Sequence, residues 1–245
     1  MPFLSIVIPA KNEEKNLPKL LESVKAQTFK DYEIVVADAQ STDRTRDIVE
    51  EYGGRVVEGG KTTPGRNLGA ASSTGHVLLF LDADVVMPNP KFLEENLDEM
   101  KRKGACVATC KVKPMSRNPM DKAMHELYNA YAISTEKIMP HAPGFCIFSK
   151  KHTFDEVGGF DVRIDFAEDH DFVQRAEKAG YRFRILRSQP IAVSVRRLQR
   201  DGRMGTALRY GLAEVQRLAS GHYKNEENYV MGGDAYKDLD DEESQ

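Results

Sequence analysis

Val77-Leu78-Leu79-Phe80-Leu81-Asp82-Ala83-Asp84 is the stretch that decides how this chain folds. Five apolar residues run without alternation, as a strand buried on both faces of a sheet requires, and the run stops abruptly at two carboxylates. Reading back toward the start, Leu4 to Ile8 is a β-branched run closed by Pro9, and Asn16 to Ala26 sets Leu17, Leu20, Leu21 and Val24 at helical spacing. Tyr32 to Ala37 reads as a second strand ending at Asp38, followed by a helix over Asp43 to Tyr52 with Ser41 or Thr42 as its N-cap. Val56 and Val57 offer a third strand, and Pro64 opens a helix from Gly65 to Ser72. This βαβαβαβ order implies right-handed crossovers and an α/β domain with a mostly parallel central sheet flanked by helices. Ligands bind such sheets beyond the carboxyl ends of the strands. Asp38, Asp82 and Asp84 all fall at those ends.

Downstream, the pattern gives a helix over Lys91 to Lys103, a strand over Cys106 to Val112 and a helix over Asp121 to Glu136. Loop signals at Pro140 and Pro143-Gly144 precede a strand over Phe145 to Phe148 and a helix ending at Val157. The turn Gly158-Gly159-Phe160-Asp161 leads to a helix from Glu168 to Ala179, closed by Gly180. No repeat or low-complexity linker interrupts the 245 residues, so the expectation is one domain over 1–223, with halves at 1–112 and 113–223.

A net charge of -3 from 35 basic and 38 acidic residues gives no reason to expect a nucleic-acid partner. Arginines crowd the stretch from Arg182 to Arg209, whereas residues 224–245 read as an acidic, solvated tail. Cys106, Cys110 and Cys146 lack a zinc spacing and sit among apolar neighbours, as reduced, buried thiols do. The opening residues carry no basic leader, and no apolar run approaches the ~20 residues that span a bilayer. The expectation is a cytoplasmic protein, with peripheral contact at the inner membrane face left open. Residues 203–219 place Met204, Ala207, Leu208, Leu212, Val215 and Leu218 along one side among arginines, the pattern of a core-packing helix or of a basic membrane-surface helix.

Two carboxylates one residue apart at the end of a buried strand are costly to bury without compensation. Asp-x-Asp is also common in solvated turns, but the strand-end position favours a divalent cation, since Mg²⁺ and Mn²⁺ bridge one or two carboxylates to phosphate oxygens.

With these residues in view, the chain resembles the inverting family 2 glycosyltransferases of the GT-A fold, along motifs that run in order from Ser5 to Gly180. Ser5 to Glu14 is similar to the family's first strand and loop, and the resemblance implies that Pro9 and Glu13 approach the nucleotide. Glu33 to Asp43 is similar to its second strand, which implies that Asp38 contacts the base. Arg66-Asn67, Gly75 and Leu81-Asp82-Ala83-Asp84 follow as the family pattern has them. Pro143-Gly144, Glu156 to Asp161, and Glu168-Asp169-His170-Asp171 with Arg175 and Gly180 resemble its acceptor-side motifs. The implied activity transfers a sugar, with inversion, from a UDP- or GDP-sugar to a saccharide or lipid-linked acceptor. Asp169 would be the general base, Glu168 its neighbour, and Mn²⁺ or Mg²⁺ the cofactor on Asp82 and Asp84. One departure stands out: many members carry a metal-binding His after the last strand, where this chain has Ser194-Val195-Arg196-Arg197.

The residue chemistry is compatible with these roles and leaves alternatives. Asp38 can cap a turn or accept a hydrogen bond from a base N–H. Glu13 can lie in a helix first turn, and Arg66 can be a surface residue or a fork for phosphate. Arg196 or Arg197 can neutralise the diphosphate in place of the missing His. Glu168, Asp169 and Asp171 repel one another, which suits a raised pKa for proton abstraction, but acids also favour a helix N-terminus. His141 reads as a loop histidine with one hydrogen bond. Two other classes compete: a nucleotidyltransferase-like enzyme, which needs a glycine-rich phosphate loop where Pro9 to Glu14 has no glycine, and a non-catalytic binding module, which would have lost some of the acids kept here.

Overall fold

The computed structural model describes residues 1–164 and 167–202, together with Gly205 and Gly233. The elements in chain order are β1 (Leu4–Ala10), α1 (Leu17–Lys25), β2 (Tyr32–Asp38), α2 (Thr45–Glu51), β3 (Arg55–Glu58), α3 (Thr62–Ala71), β4 (Val77–Leu81) and β5 (Val85–Val86). They continue with α4 (Phe92–Arg102), β6 (Val107–Pro114), α5 (Pro119–Thr135), β7 (Cys146–Lys150), α6 (Lys151–Val157), α7 (Glu168–Lys178), β8 (Phe183–Val193) and α8 (Arg196–Asp201).

All eight strands join one sheet in the order β3-β2-β1-β4-β7-β6-β8-β5. The pairings β1–β2, β1–β4, β2–β3 and β6–β8 are parallel, and β7 runs against both β4 and β6, as β5 does against β8. The mostly parallel α/β architecture expected from the sequence is therefore present. The carboxyl ends of β1, β2, β4, β6 and β8 meet at one rim, and antiparallel β7 begins at that same rim.

Both faces of the sheet are covered. Leu4, Ile6, Ile8, Leu79 and Leu81 pack against α1, α2 and α4 through Leu17, Leu20, Leu21, Ile48, Phe92 and Leu93. Val7, Leu78, Phe80 and Ile147 face the opposite layer, where Phe154, Phe160 and Phe172 from α6, α7 and their connection close over Phe80 with ring centroids 5.0 to 5.5 Å apart. Burial on two faces is why β4 carries no polar residue until Asp82.

Several local expectations change. Neither Ser41 nor Thr42 caps α2. Asp43 Oδ1 accepts from the Thr45 N–H at 2.9 Å, while Ser41 Oγ accepts from the Asn12 N–H and Asn12 Oδ1 accepts from the Thr42 N–H. Helix α3 begins at Thr62, ahead of Pro64. Two short elements, β5 and α8, and the eleven-residue β8 have no counterpart in the sequence reading. Cys110 and Cys146 are buried free thiols with Sγ atoms 3.6 Å apart, but Cys106 is only half-buried. Among the described residues no helix is long and apolar enough to cross a membrane. The amphipathic stretch 203–219 and the acidic tail 224–245 lie outside the described residues, Gly205 and Gly233 apart.

Helix α3 lies directly on the sheet. A Cβ at Gly69 would sit 2.4 Å from Val7 Cγ1 and 3.7 Å from Ala37 Cβ. Gly69→Ala must push α3 away from β1, with an expected loss of about 1–3 kcal/mol, read as a lower midpoint in urea denaturation at unchanged slope.

Candidate active site

The loops after β1 and β2 are laced together before any ligand enters. Thr45 Oγ1 accepts from the Glu13 N–H at 2.8 Å, Asp43 Oδ2 accepts from the Glu14 N–H at 3.0 Å, and Glu14 Oε2 accepts from the Arg44 N–H at 3.1 Å. Asn12 and Gln40, both at positive φ, turn these loops. The backbone donors at 12–14 are thus committed to side chains of the next loop and do not form a phosphate-cradling nest, which argues against the nucleotidyltransferase-like reading.

Asp38 ends β2, opposite Ala10, and is almost completely buried. Its Oδ2 accepts from the Ser41 N–H at 3.2 Å and faces Arg46 at 3.5 Å, while Oδ1 is buried without a hydrogen-bond partner among the described residues. A buried, unmet acceptor costs stability unless a ligand donor meets it. Pro9 sits one residue before the end of β1, and its Cβ lies 3.4 Å from a Cβ built on Gly65, so it helps pack α3 against the rim.

Two strand spacings from Asp38, about 10 Å away across β1, the acids after β4 meet two buried guanidiniums. Arg66 on α3 forks between two carboxylates: Nη2 donates to Asp82 Oδ1 at 2.8 Å and Nη1 to Glu168 Oε1 at 2.7 Å. Its charge lies 5.7 Å from the centre of the Phe160 ring. Gly144 packs its backbone against the same guanidinium, since a Cβ there would stand 2.7 and 2.8 Å from Nη2 and Nη1. Arg66 is therefore a buried clamp rather than a surface residue.

Arg196 opens α8 immediately beyond β8. Its Nη2 donates to Asp84 Oδ2 at 3.1 Å and lies 3.7 Å from Glu13 Oε2, which also accepts from Asn16 Nδ2 at 3.1 Å. Glu13 is thus a member of the acid cluster rather than a surface residue of a helix first turn. On the other side, Asp169 follows Glu168 into the first turn of α7, where its Oδ1 accepts from the His170 N–H at 2.8 Å. Asp171 departs from expectation: it turns away, pairs with Arg175 at 2.6 Å, and belongs to a staple in which Arg175 also donates to the carbonyls of Val157 and Gly159.

Five carboxylates, those of Glu13, Asp82, Asp84, Glu168 and Asp169, therefore share two guanidiniums, those of Arg66 and Arg196. Burial, and after it the neighbouring carboxylates, raises the pKa of these acids. Burial pushes Glu13 up to about 7, against the pull of Arg196 and with a further push from Asp84. Burial, then neighbouring Asp169, raises Glu168 to about 7, while Arg66 opposes. Burial also raises Asp84, with Asp82 adding to the shift, and raises Asp169 against Arg66.

The donor set fits a divalent cation that keeps open positions. Asp82 and Asp84 offer the hard oxygen ligands that such a cation takes, although among the described residues no group of three or more His, Cys, Asp or Glu is placed to hold a metal ion. A cation held by these two carboxylates would have its remaining positions open to water and phosphate.

Two features escaped the sequence reading. Asn67, next to Arg66, donates to the Phe160 carbonyl at 2.8 Å and accepts from the Phe160 N–H at 3.0 Å, so α3 fixes the Gly158-Gly159 turn as well. His141 is buried, donates through Nδ1 to the Met139 carbonyl at 2.9 Å, and packs its ring 5.4 Å from Tyr131 and 5.5 Å from His170. It is a neighbour of the Asp169 turn, which its isolated position in the sequence does not disclose.

A carboxyl whose folded pKa lies above its unfolded value holds its proton more tightly in the native chain, so stability falls as rising pH removes that proton. Glu13 and Glu168, raised from 4.5 to about 7, place this loss between pH 4.5 and 7. The metal-free protein should melt at a progressively lower temperature from pH 5 to pH 7, and Glu13→Gln should flatten that slope. A melting temperature that rises across this interval, with no change in slope for the variant, would contradict the assigned burial of these acids.

Comparison with known proteins agrees with this geometry. The profile of Glycosyl transferase family 2 matches residues 5–158. The 4,4'-diaponeurosporenoate glycosyltransferase of Staphylococcus haemolyticus is 39% identical over 108 residues, which cover 40% of this chain and 28% of that one. Mannosyltransferase PcManGT from Pyrobaculum calidifontis, solved in complex with GDP-Man and Mn2+, superposes with a TM-score of 0.66 at 21% identity, covering 79% of this chain and 57% of that one. S. aureus TarS 1-349 in complex with UDP-GlcNAc gives 0.63 at 22%, covering 78% and 58%. The chain thus spans less than two thirds of the length of each of these proteins. With the profile covering more than half of its residues, this chain belongs to glycosyl transferase family 2.

Proposed function

We propose that this protein transfers a sugar from a nucleoside-diphosphate donor to an acceptor hydroxyl in a single inverting displacement, with a divalent cation at Asp82 and Asp84. The observation that carries the reading is the convergence of Asp38, the Asp82–Asp84 pair and Asp169 on one rim, where carboxylates outnumber the two guanidiniums that pair with them. Residues 1–112 form the donor half and 113–223 the acceptor half of this scheme.

In the donor half, the unmet Oδ1 of Asp38 accepts a hydrogen bond from the base. The N–H of uracil or of guanine serves equally, which keeps UDP and GDP both in play, and the solved relatives carry UDP-GlcNAc and GDP-Man. Pro9 shapes the floor of the cleft beside α3. Mn²⁺ or Mg²⁺ on the two carboxylates would supply positive charge to the diphosphate oxygens. Arg196, on the opposite side of Asp84, adds a guanidinium for the same charge, at the position where other members carry a His.

In the acceptor half, Asp169 takes the proton of the acceptor hydroxyl while that oxygen forms its bond to the anomeric carbon. The bond between the anomeric carbon and the diphosphate breaks on the opposite side, its electron pair leaves with the nucleoside diphosphate, and the configuration inverts. Burial raises the basicity of Asp169, and Glu168, held by Arg66, keeps α7 at the site. The buried, unoxidised thiols are consistent with a cytoplasmic setting. A non-catalytic binding module would not need to keep a buried base beside the donor acids.

Donor hydrolysis, measured with UDP- and GDP-sugars and Mn²⁺, tests the assignment. Asp84→Ala and Asp169→Asn should each lower turnover by about 10²–10⁴-fold, and a chelator should do the same to the wild type. Asp169→Asn should still bind the nucleotide. Turnover unchanged by both substitutions and by the chelator would eliminate the mechanism.

A further inference from the structure

Helix α5 is anchored on one side and carries an exposed apolar stripe among charged residues on the other. Its buried residues are Asp121, Asn129 and Ala132. Asn129 ties it to β6 by accepting from the Val112 N–H at 3.0 Å and donating to the Val112 carbonyl at 2.8 Å, and Asp121 accepts from Ser116 Oγ at 2.7 Å. On the outward side, Met120, Ala123, Leu127 and Ala130 recur at spacings of three and four residues and are exposed, with Ile138 prolonging the stripe in the turn that follows. Leu127 is 73% exposed and Ile138 85%, values ordinary for lysine and costly for an aliphatic side chain in water.

The exposed charges around this stripe are predominantly basic. Between residues 113 and 138 the exposed charged residues are Lys113, Arg117, Lys122 and Lys137 against Glu126, because Asp121 and Glu136 are buried. A two-fold copy of the same face would set this basic rim against itself, whereas an anionic surface with an apolar interior satisfies both features. The stripe also adjoins the candidate site: Tyr131, at its edge, packs on His141, which packs on His170 next to Asp169.

We propose that the outward face of α5 lies on an anionic lipid bilayer and that the acceptor hydroxyl reaches Asp169 from a lipid in that bilayer. The membrane contact stands on the exposed stripe and its basic rim. Only the identity of the acceptor rests on the transferase reading. In this arrangement the helix docks without crossing the membrane, with Leu127 and Ile138 entering the acyl boundary and the lysines meeting the headgroups.

Flotation of the full chain with phosphatidylcholine vesicles, with and without phosphatidylglycerol, tests the contact directly. The expected result is salt-sensitive binding to the phosphatidylglycerol vesicles, reduced about tenfold or more by Leu127→Glu with Ile138→Glu and weakened by Lys122→Glu with Lys137→Glu. Melting temperature and donor hydrolysis in vesicle-free solution should be unchanged in both double variants, which separates loss of docking from misfolding. No binding to anionic vesicles, or binding indifferent to these substitutions, overturns the proposal. So does sedimentation showing that Leu127→Glu with Ile138→Glu dissolves a dimer, which would make a second copy the occupant. If vesicle binding follows the expectation but wild-type donor hydrolysis is absent, the membrane contact stands and the transferase reading fails. Transfer to lipid extracted into vesicles, with none to soluble saccharides, is the matching expectation for the acceptor.

Discussion

A single buried guanidinium holds the two halves of the site together. Arg66 reaches from α3 to Asp82 at the end of β4 and to Glu168 at the start of α7, residues 16 and 102 positions away along the chain. Buried ion pairs of this kind contribute little net stability, because desolvation offsets most of their attraction, while loss of one partner leaves a charge stranded. Their consequence here is geometric: with Arg66 in place, Asp169 is fixed relative to the acids of the donor side. The backbone of Gly144 fills the space against the guanidinium that any side chain would need.

The same helix extends this control to the core and to the turn before Phe160. Gly69 lets α3 approach β1 closely, Asn67 holds both polar groups of Phe160, and Phe160 packs on Phe80 of the central strand. Sheet, clamp and the Gly158-Gly159 turn are therefore one packed unit. Arg196 has the corresponding place on the far side of the Asp82–Asp84 pair, where it bridges Asp84 toward Glu13. With all five carboxylates ionised, the two arginines would leave three negative charges unmatched, so the cluster either holds protons or takes a cation.

The strands around Asp38 and Asp82 were legible from the sequence because burial on two faces leaves an unbroken apolar run, and because the run stops where the sheet does. The acids at those ends could be singled out for the same reason. What the sequence does not carry is pairing at a distance. Nothing local to Arg66 distinguishes a surface arginine from a clamp, and Asp171 resembles Glu168 and Asp169 until Arg175 is seen beside it. The strand β8 hid because Arg184, Arg187 and Pro190 interrupt its apolar pattern in the middle, where it passes from one stretch of β6 pairing to the next across an irregularity between Cys110 and Val112. His141 does lie in a loop with a hydrogen bond to Met139, but its burial is not legible locally, since its three aromatic neighbours come from α5 and α7.

The central claim is that the acids at the sheet rim form one site for a cation and a nucleoside diphosphate. Diffraction at the manganese absorption edge, from crystals grown with Mn²⁺ and either UDP or GDP, addresses it most directly. The account predicts one anomalous peak bound by Asp82 or Asp84 and by the diphosphate, with the base donating to Asp38. A manganese peak remote from both carboxylates, or a nucleotide seated away from Asp38, would contradict it.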